Sequence, residues 1–83
     1  METEKAEKRL EAAKKREEAA RLRVLAASQR DGVSAYMRQA GMPAYSGQEI
    51  ICIGKAGQFE AYAARNIAIA ARLDAEADVL DCE

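Results

Sequence analysis

The pattern of apolar and polar residues changes near Leu22 and predicts a charged helix followed by a small α/β body. Residues 2–21 are almost all Glu, Lys, Arg and Ala, which are strong helix formers. Their apolar positions form only a weak stripe, made of Ala6, Leu10, Ala13 and Ala20. Three interpretations of this helix stay open: a mostly solvated helix, a helix docked on a partner subunit, and an arm that contacts nucleic acid.

The segment 22–41 predicts a strand and then a helix. "LRVLAAS", residues 22–28, alternates in the manner of a strand, although its alanines also permit a continued helix. The next apolar residues, Val33, Tyr36, Met37 and Ala40, lie near helical spacing. Gly41 is a plausible helix stop, and Pro43 predicts a loop after it.

The segment 48–83 predicts a second strand–helix unit and a last strand. "QEIICIG", residues 48–54, is short, β-branched and uncharged after Glu49, which is typical of a central strand. "GKAGQ" then turns into an alanine-rich helix that starts at Gln58. The final "ADVLDCE" alternates as a short terminal strand. The order predicts two parts: a charged N-terminal helix over 1–21, and an α/β domain over 22–83 with a βαβαβ sheet and two helices packed on it.

Composition limits the size of the core and the kind of chemistry. A chain of 83 residues forms one small domain with a marginal core, which a partner subunit would complete. There is no histidine, and Cys52 and Cys82 form no CxxC pair. We therefore expect no enzyme activity, no cofactor, no metal site and two reduced thiols. We also expect no membrane span, no secretory signal and a cytoplasmic location.

Charge is unevenly distributed along the chain. Residues 1–30 hold nine Lys or Arg and six Glu, whereas residues 31–83 hold four Lys or Arg and eight Asp or Glu. A mildly basic N-terminal arm thus precedes an acidic body, and there is no strongly basic face of the kind that argues for nucleic acid. The regular Glu/Lys/Ala helix is also compatible with an engineered sequence.

The stretch from Glu49 to Arg72 resembles the Alba and stage V sporulation protein S group of small βαβαβ domains. The resemblance rests on an E-I-x-x-I-G strand, a Gly/Ala turn, and the helix residues Ala63, Ala64, Ile67, Ile69 and Ala70. A weaker similarity covers residues 22–41. The resemblance implies a homodimer that binds nucleic-acid backbone through the loops leading into both helices. The chain departs from the family in being less basic and in ending before the family's β-hairpin arm.

Carried over residue by residue, the resemblance implies two loops that contact phosphate. The first would supply Ser28, Gln29 and Arg30, and the second Lys55, Gly57 and Gln58. The pattern "GKAGQ" also suggests backbone N–H groups presented to an anion at a helix start, but a plain strand-to-helix turn is the simpler explanation.

Two functions follow from the sequence. The first is a non-enzymatic, dimeric module that binds nucleic-acid backbone weakly. The alternative is a structural or protein-interaction module that oligomerises through its α/β body, with a possible protein partner for the N-terminal helix.

Overall fold

Two long antiparallel helices, joined by a short loop, make up the structure. The computed structural model describes residues 2–83. Helix α1 spans Glu2–Ala40 and helix α2 spans Glu49–Cys82, with a single 3₁₀ turn at Pro43–Tyr45 between them. The hairpin measures 66 × 13 × 11 Å and its radius of gyration is 18.9 Å. A globular domain of this length would have a radius of gyration of about 12 Å, so the molecule is a rod.

The reversal between the helices depends on glycine and proline. After α1 ends, the N–H of Gly41 donates to the carbonyl of Arg38 at 3.1 Å, which closes the last turn. Pro43 follows and cannot continue a helix in the same hydrogen-bonding pattern. Gly47 has φ +88°, a left-handed conformation that glycine adopts without a steric penalty. Its N–H donates to the carboxylate of Glu49 at 3.1 Å, which supports the start of α2.

The interface between α1 and α2 is built on alanines seven residues apart. The buried alanines recur every seven residues in both helices, as in a coiled coil. Small side chains at these positions let the two backbones approach closely. We call this interface the inner seam. Its buried residues are Ala12, Ala19, Ala26, Cys52, Ala56, Ala63, Ala70 and Ala77.

Larger side chains fill the inner seam between the alanines, but each keeps some exposure. Leu22, Leu73 and Leu80 are half-buried at seam positions. The rings of Tyr36 and Phe59 stack with centroids 5.6 Å apart and an interplanar angle of 19°. Within residues 2–83 no large side chain is fully buried, so the hydrophobic interior of the isolated hairpin is thin.

The predicted α/β fold is wrong. The predicted strands at 22–28, 48–54 and 77–83 are all helical apart from Gln48 and Glu83, and the described residues contain no strand. The βαβαβ architecture implied by the Alba resemblance is therefore also wrong for this chain. The alternative noted for residues 22–28, a continued helix, is the one observed.

Packing across the inner seam explains why the strand-like segments are helical. Ala26 in the first segment and Cys52 in the second are buried against the opposite helix. Cys52, Ala56 and Phe59 are spaced by four and then three residues and so share one helix face, whereas in an extended strand Phe59 would point to the opposite face from the other two. The helix propensity of isoleucine is lower than that of alanine by only a few tenths of a kcal/mol. Tertiary packing outweighs this small difference.

Several local predictions are confirmed. The helix predicted over residues 2–21 is present, and it continues without a break through Arg21 and Leu22. The predicted helix stop before Gly41 and the loop at Pro43 are also present. Residues 58–77 are helical as predicted, but their helix begins at Glu49 and not at Gln58. Met1, which belongs to the predicted 1–21 segment, lies outside the described residues.

Candidate interaction surfaces

The six residues predicted to contact nucleic acid lie inside helices, not in loops. Three lie in α1, and the other three lie in α2, which begins at Glu49 and not after the glycine turn. In a helix interior each N–H donates to the carbonyl four residues earlier, so these amides are not available to an anion. The anion-binding turn expected at "GKAGQ" is therefore absent from α2. The six residues are Ser28, Gln29, Arg30, Lys55, Gly57 and Gln58.

The structure does not bring these six residues into one cluster. Gln29 is half-buried and accepts a hydrogen bond from Asn66. Lys55 lies with its Nζ 5.5 Å from the centroid of the Tyr36 ring, a cation–π arrangement. Tyr36 is six residues beyond Arg30, which is about 9 Å along α1. Arg30 and Lys55 therefore lie at different heights on the rod.

A hydrogen bond between two amide side chains crosses the inner seam near its middle. The Nδ2 of Asn66 donates to the Oε1 of Gln29 at 3.0 Å. Both residues occupy seam positions and are half-buried. A buried polar pair of this kind fixes the register of two helices, because sliding one helix would leave both amides without a partner.

Ion pairs along both edges of the inner seam hold the terminal half of the hairpin. On one edge the guanidinium of Arg16 lies 3.0 Å from Oδ1 of Asp78 and 2.5 Å from Oδ2 of Asp81. On the same edge Nη2 of Arg23 lies 2.6 Å from Oδ2 of Asp74. These pairs join α1 to α2 and match basic residues of the first helix with acidic residues of the second.

The other edge is held by two lysines that occupy seam positions. Lys15 reaches Glu76 at 2.9 Å and Lys8 reaches Glu83 at 3.0 Å. Each lysine lays its apolar stem along the seam and its ammonium group at the surface. The uneven charge noted in the sequence therefore serves the pairing of the two helices.

The shifted pKa values are explained by these surface contacts. The hydrogen bond from Lys15 lowers the pKa of Glu76, and that from Arg21 lowers the pKa of Glu18. Hydrogen bonds from its own backbone and from Gly47 lower the pKa of Glu49. Hydrogen bonds to Asp81 and Asp78 raise the pKa of Arg16. Perturbed groups often mark catalytic sites, but each of these belongs to an exposed ion pair or a helix start.

Large apolar side chains are exposed around the loop end of the hairpin. Ile50 is 87% exposed, Ile51 58% and Ile53 51%, and Met37 and Met42 are also exposed. The only charged residue between Gly41 and Gly54 is Glu49. The rod thus has one highly charged end, where the ion pairs lie, and one apolar end.

Sequence reasoning missed the buried alanines as a set, although a signal for them was present. Alanine recurs at intervals of seven over 12–26 and again over 56–77. A search for heptad periodicity in alanine, and not only in large apolar residues, would have found the inner seam.

Three further observations concern metal ligands, membrane spans and thiols. Within residues 2–83 no group of three or more His, Cys, Asp or Glu side chains is placed to hold a metal ion. Neither α1 nor α2 contains a stretch long and apolar enough to cross a membrane. Cys52 is buried and Cys82 is exposed, and both are free thiols.

Comparisons with known proteins gave no match. No family model, no curated protein and no solved structure matches this chain. Its function is therefore inferred from the residues and geometry of the hairpin alone.

Proposed function

We propose that this protein is a non-enzymatic, helical-hairpin module that self-associates through exposed apolar residues, with a second copy of the chain as its partner. The observation that carries this proposal is the reversal of the usual distribution of apolar residues. Alanine and cysteine fill the buried positions, while Ile50, Ile51 and Ile53 face solvent. Ordinary monomers place such large aliphatic residues inside.

The exposed area supports a second copy as the partner. The chain exposes 6068 Å², whereas a compact monomer of 9.0 kDa exposes about 4,900 Å². The excess of about 1,200 Å² exceeds the roughly 800 Å² per partner that a standard interface buries. Self-association would give each hairpin the hydrophobic interior that it lacks alone.

The chemistry of the chain supports a binding role more than a catalytic one. The sequence contains no histidine, the usual proton-transfer residue near neutral pH. The shifted pKa values all follow from surface contacts. The two free thiols fit a reducing, cytoplasmic location, which is part of the same proposal.

Nucleic-acid binding is the second candidate function. One observation favours it: Arg9, Arg16, Arg23 and Arg30 recur every seven residues and share one face of α1. The paired carboxylates of Asp74, Asp78 and Asp81 already neutralise the two central arginines. This pairing gives nucleic-acid binding less support than self-association.

The mass of the protein in solution tests self-association. Sedimentation equilibrium over a range of concentrations should give a dimer or larger assembly of the 9.0 kDa chain. Ile50→Ser should raise the dissociation constant at least about tenfold, because one apolar side chain is lost from each copy. Val24→Ser is the matched control: Val24 is also an exposed β-branched residue, on the outer face of α1, and its replacement should leave the dissociation constant unchanged. A monomer at every concentration would contradict the proposal.

A further inference from the structure

The side of α2 that faces away from α1 carries a second row of uncharged residues with coiled-coil spacing. Successive members are alternately four and three residues apart, like those of the inner seam. Every one of them is exposed. We call this row the outer seam. Its members are Ile50, Gly54, Gly57, Ala61, Ala64, Ala68, Ala71 and Ala75.

We propose that the outer seam binds the outer seam of a second copy, with the two α2 helices parallel and in register. This proposal rests on the self-association proposed above and adds the surface and the orientation. The occupant is a second copy because the row repeats the small-residue spacing with which α2 already packs against α1. At the loop end Ile50 lies on the row, and Ile51 and Ile53 flank it with further exposed apolar area.

The charges that flank the outer seam determine the orientation. Glu60 lies on one side of the row and Arg65 on the other. In a parallel coiled coil, a residue on one flank meets the residue five positions later on the opposite flank of the partner. Glu60 of each copy would then meet Arg65 of the other, which forms two ion pairs by symmetry. An antiparallel pairing would instead place Arg65 and Arg72 of the two copies side by side.

These two charges are available for a partner. Residues five apart on one helix do not face each other, so Glu60 and Arg65 cannot pair within the chain as residues three or four apart do. Within residues 2–83 neither takes part in an ion pair. By contrast, all five acidic residues near the C-terminus form ion pairs with α1 across the inner seam; they are Asp74, Glu76, Asp78, Asp81 and Glu83.

The same row continues toward the C-terminus through Asp78 to Cys82, which lies seven residues beyond Ala75. Asp78 is the one charged position, and Arg16 neutralises it at 3.0 Å. The exposed thiol of Cys82 reports the orientation directly. In parallel register the two Cys82 residues meet, whereas in an antiparallel pair each lies opposite Gly54 of the other copy, so the two are about 42 Å apart along the helix axis.

Oxidative crosslinking tests the orientation. In a Cys52→Ala chain, diamide should join the two Sγ atoms of Cys82. It takes up the two electrons and two protons that the thiols release. We expect most chains to run as a covalent dimer on a non-reducing gel. The control carries Glu17→Cys in a chain with both native cysteines replaced by alanine; its thiol lies on the outer face of α1 and should crosslink at least tenfold more slowly.

Two outcomes would overturn the proposed orientation. One is crosslinking of Cys82 no faster than that of the control. The other is a mixed disulfide between Cys82 and an introduced Gly54→Cys on different chains, which only an antiparallel pair allows. If the protein is a dimer by mass and shows either result, only the parallel orientation is overturned. If it is a monomer by mass, self-association is overturned as well.

A charge exchange on the chain with both native cysteines gives an independent test. Glu60→Arg and Arg65→Glu should each raise the dimer dissociation constant about tenfold, because each places like charges opposite one another. The double variant carrying both changes should regain the original value to within about threefold. If the double variant stays as weak as the single ones, Glu60 and Arg65 do not meet between copies.

Discussion

The side-chain amide of Asn66 donates to the side-chain carbonyl of Gln29 at 3.0 Å, and this contact crosses the inner seam between α1 and α2. The alanines on either side of it repeat every seven residues, so they pack equally well if one helix slides by a heptad. The amide pair does not repeat. It therefore selects one register among several that the alanines alone would allow.

A double-mutant cycle measures this contact. Gln29→Ala and Asn66→Ala should each destabilise the hairpin, and the double variant should lose less than the sum of the two. We expect a coupling free energy of about 1 kcal/mol, typical of a hydrogen bond between neutral side chains. Urea denaturation followed by circular dichroism gives the four free energies of unfolding. Strict additivity would show that the two amides act independently.

Neighbouring alanines in α1 test the inner seam. Ala19 is 0% exposed and touches α2, whereas Ala20 is exposed. Ala19→Leu should destabilise the hairpin by about 1–3 kcal/mol, because the larger side chain forces the helices apart. Ala20→Leu should change the free energy of unfolding by less than about 0.5 kcal/mol. Thermal melts of both variants provide the comparison, and equal effects would contradict close packing at the seam.

Replacing glycine by alanine should stabilise the protein at one position and destabilise it at another. A Cβ at Gly32 would lie 3.6 Å from the Phe59 ring, an ordinary contact, so Gly32→Ala should stabilise α1 by about 1 kcal/mol through helix propensity. Gly47 has φ +88°, so Gly47→Ala should destabilise the loop by about 1 kcal/mol. Chemical denaturation of the two variants measures both values. A destabilised Gly32→Ala variant would mean that Phe59 lies closer to the α1 backbone than observed.

Acid should weaken the terminal half of the hairpin. The hydrogen bond from Lys15 lowers the pKa of Glu76 below its usual 4.5, and a carboxyl with a lowered pKa binds its proton more weakly in the folded chain. Its stabilising effect is therefore present above pH 4.5 and is lost as the pH falls through the folded value. The melting temperature should therefore fall as the pH is lowered below 4.5, and it should fall less in the Glu76→Gln variant. Glu17→Gln, at an exposed position of α1, should keep the full drop.

Nucleic-acid binding through Arg30 and Lys55 stays a prediction and has its own test. If these side chains contact phosphates, affinity for any sequence should fall steeply with salt, and Lys55→Glu should weaken all sequences about equally. Fluorescence anisotropy with DNA and RNA at about 50 mM salt measures this. Absence of binding at micromolar protein would remove this candidate.

Much of the local structure could be predicted from the sequence. The Glu/Lys/Ala composition of residues 2–21 favours a helix whatever it packs against, because these residues carry high intrinsic propensity. Gly41 and Pro43 end α1 through backbone constraints that act within a few residues. The lack of any long apolar run likewise depended on composition alone.

The candidate site could be predicted only in part. The prediction placed Lys55 at a helix start, and this placement is wrong because α2 begins six residues earlier, at Glu49. The exposure of Ile50 and Ile51 could not be foreseen, since a run of isoleucines reads as buried wherever a sheet is assumed.

The sequence by itself determined the helix over residues 2–21, the turn after Ala40 and the uneven charge. Helix propensity and the constraints of glycine and proline act through the backbone and near neighbours, so they do not depend on the fold. Only the tertiary structure decided that residues 22–28 and 49–54 are helical and that no sheet forms within residues 2–83. The physical reason is that Ala26 and Cys52 gain their burial from the opposite helix. That gain depends on contacts far apart in sequence, and it exceeds the small local preference of isoleucine and valine for a strand.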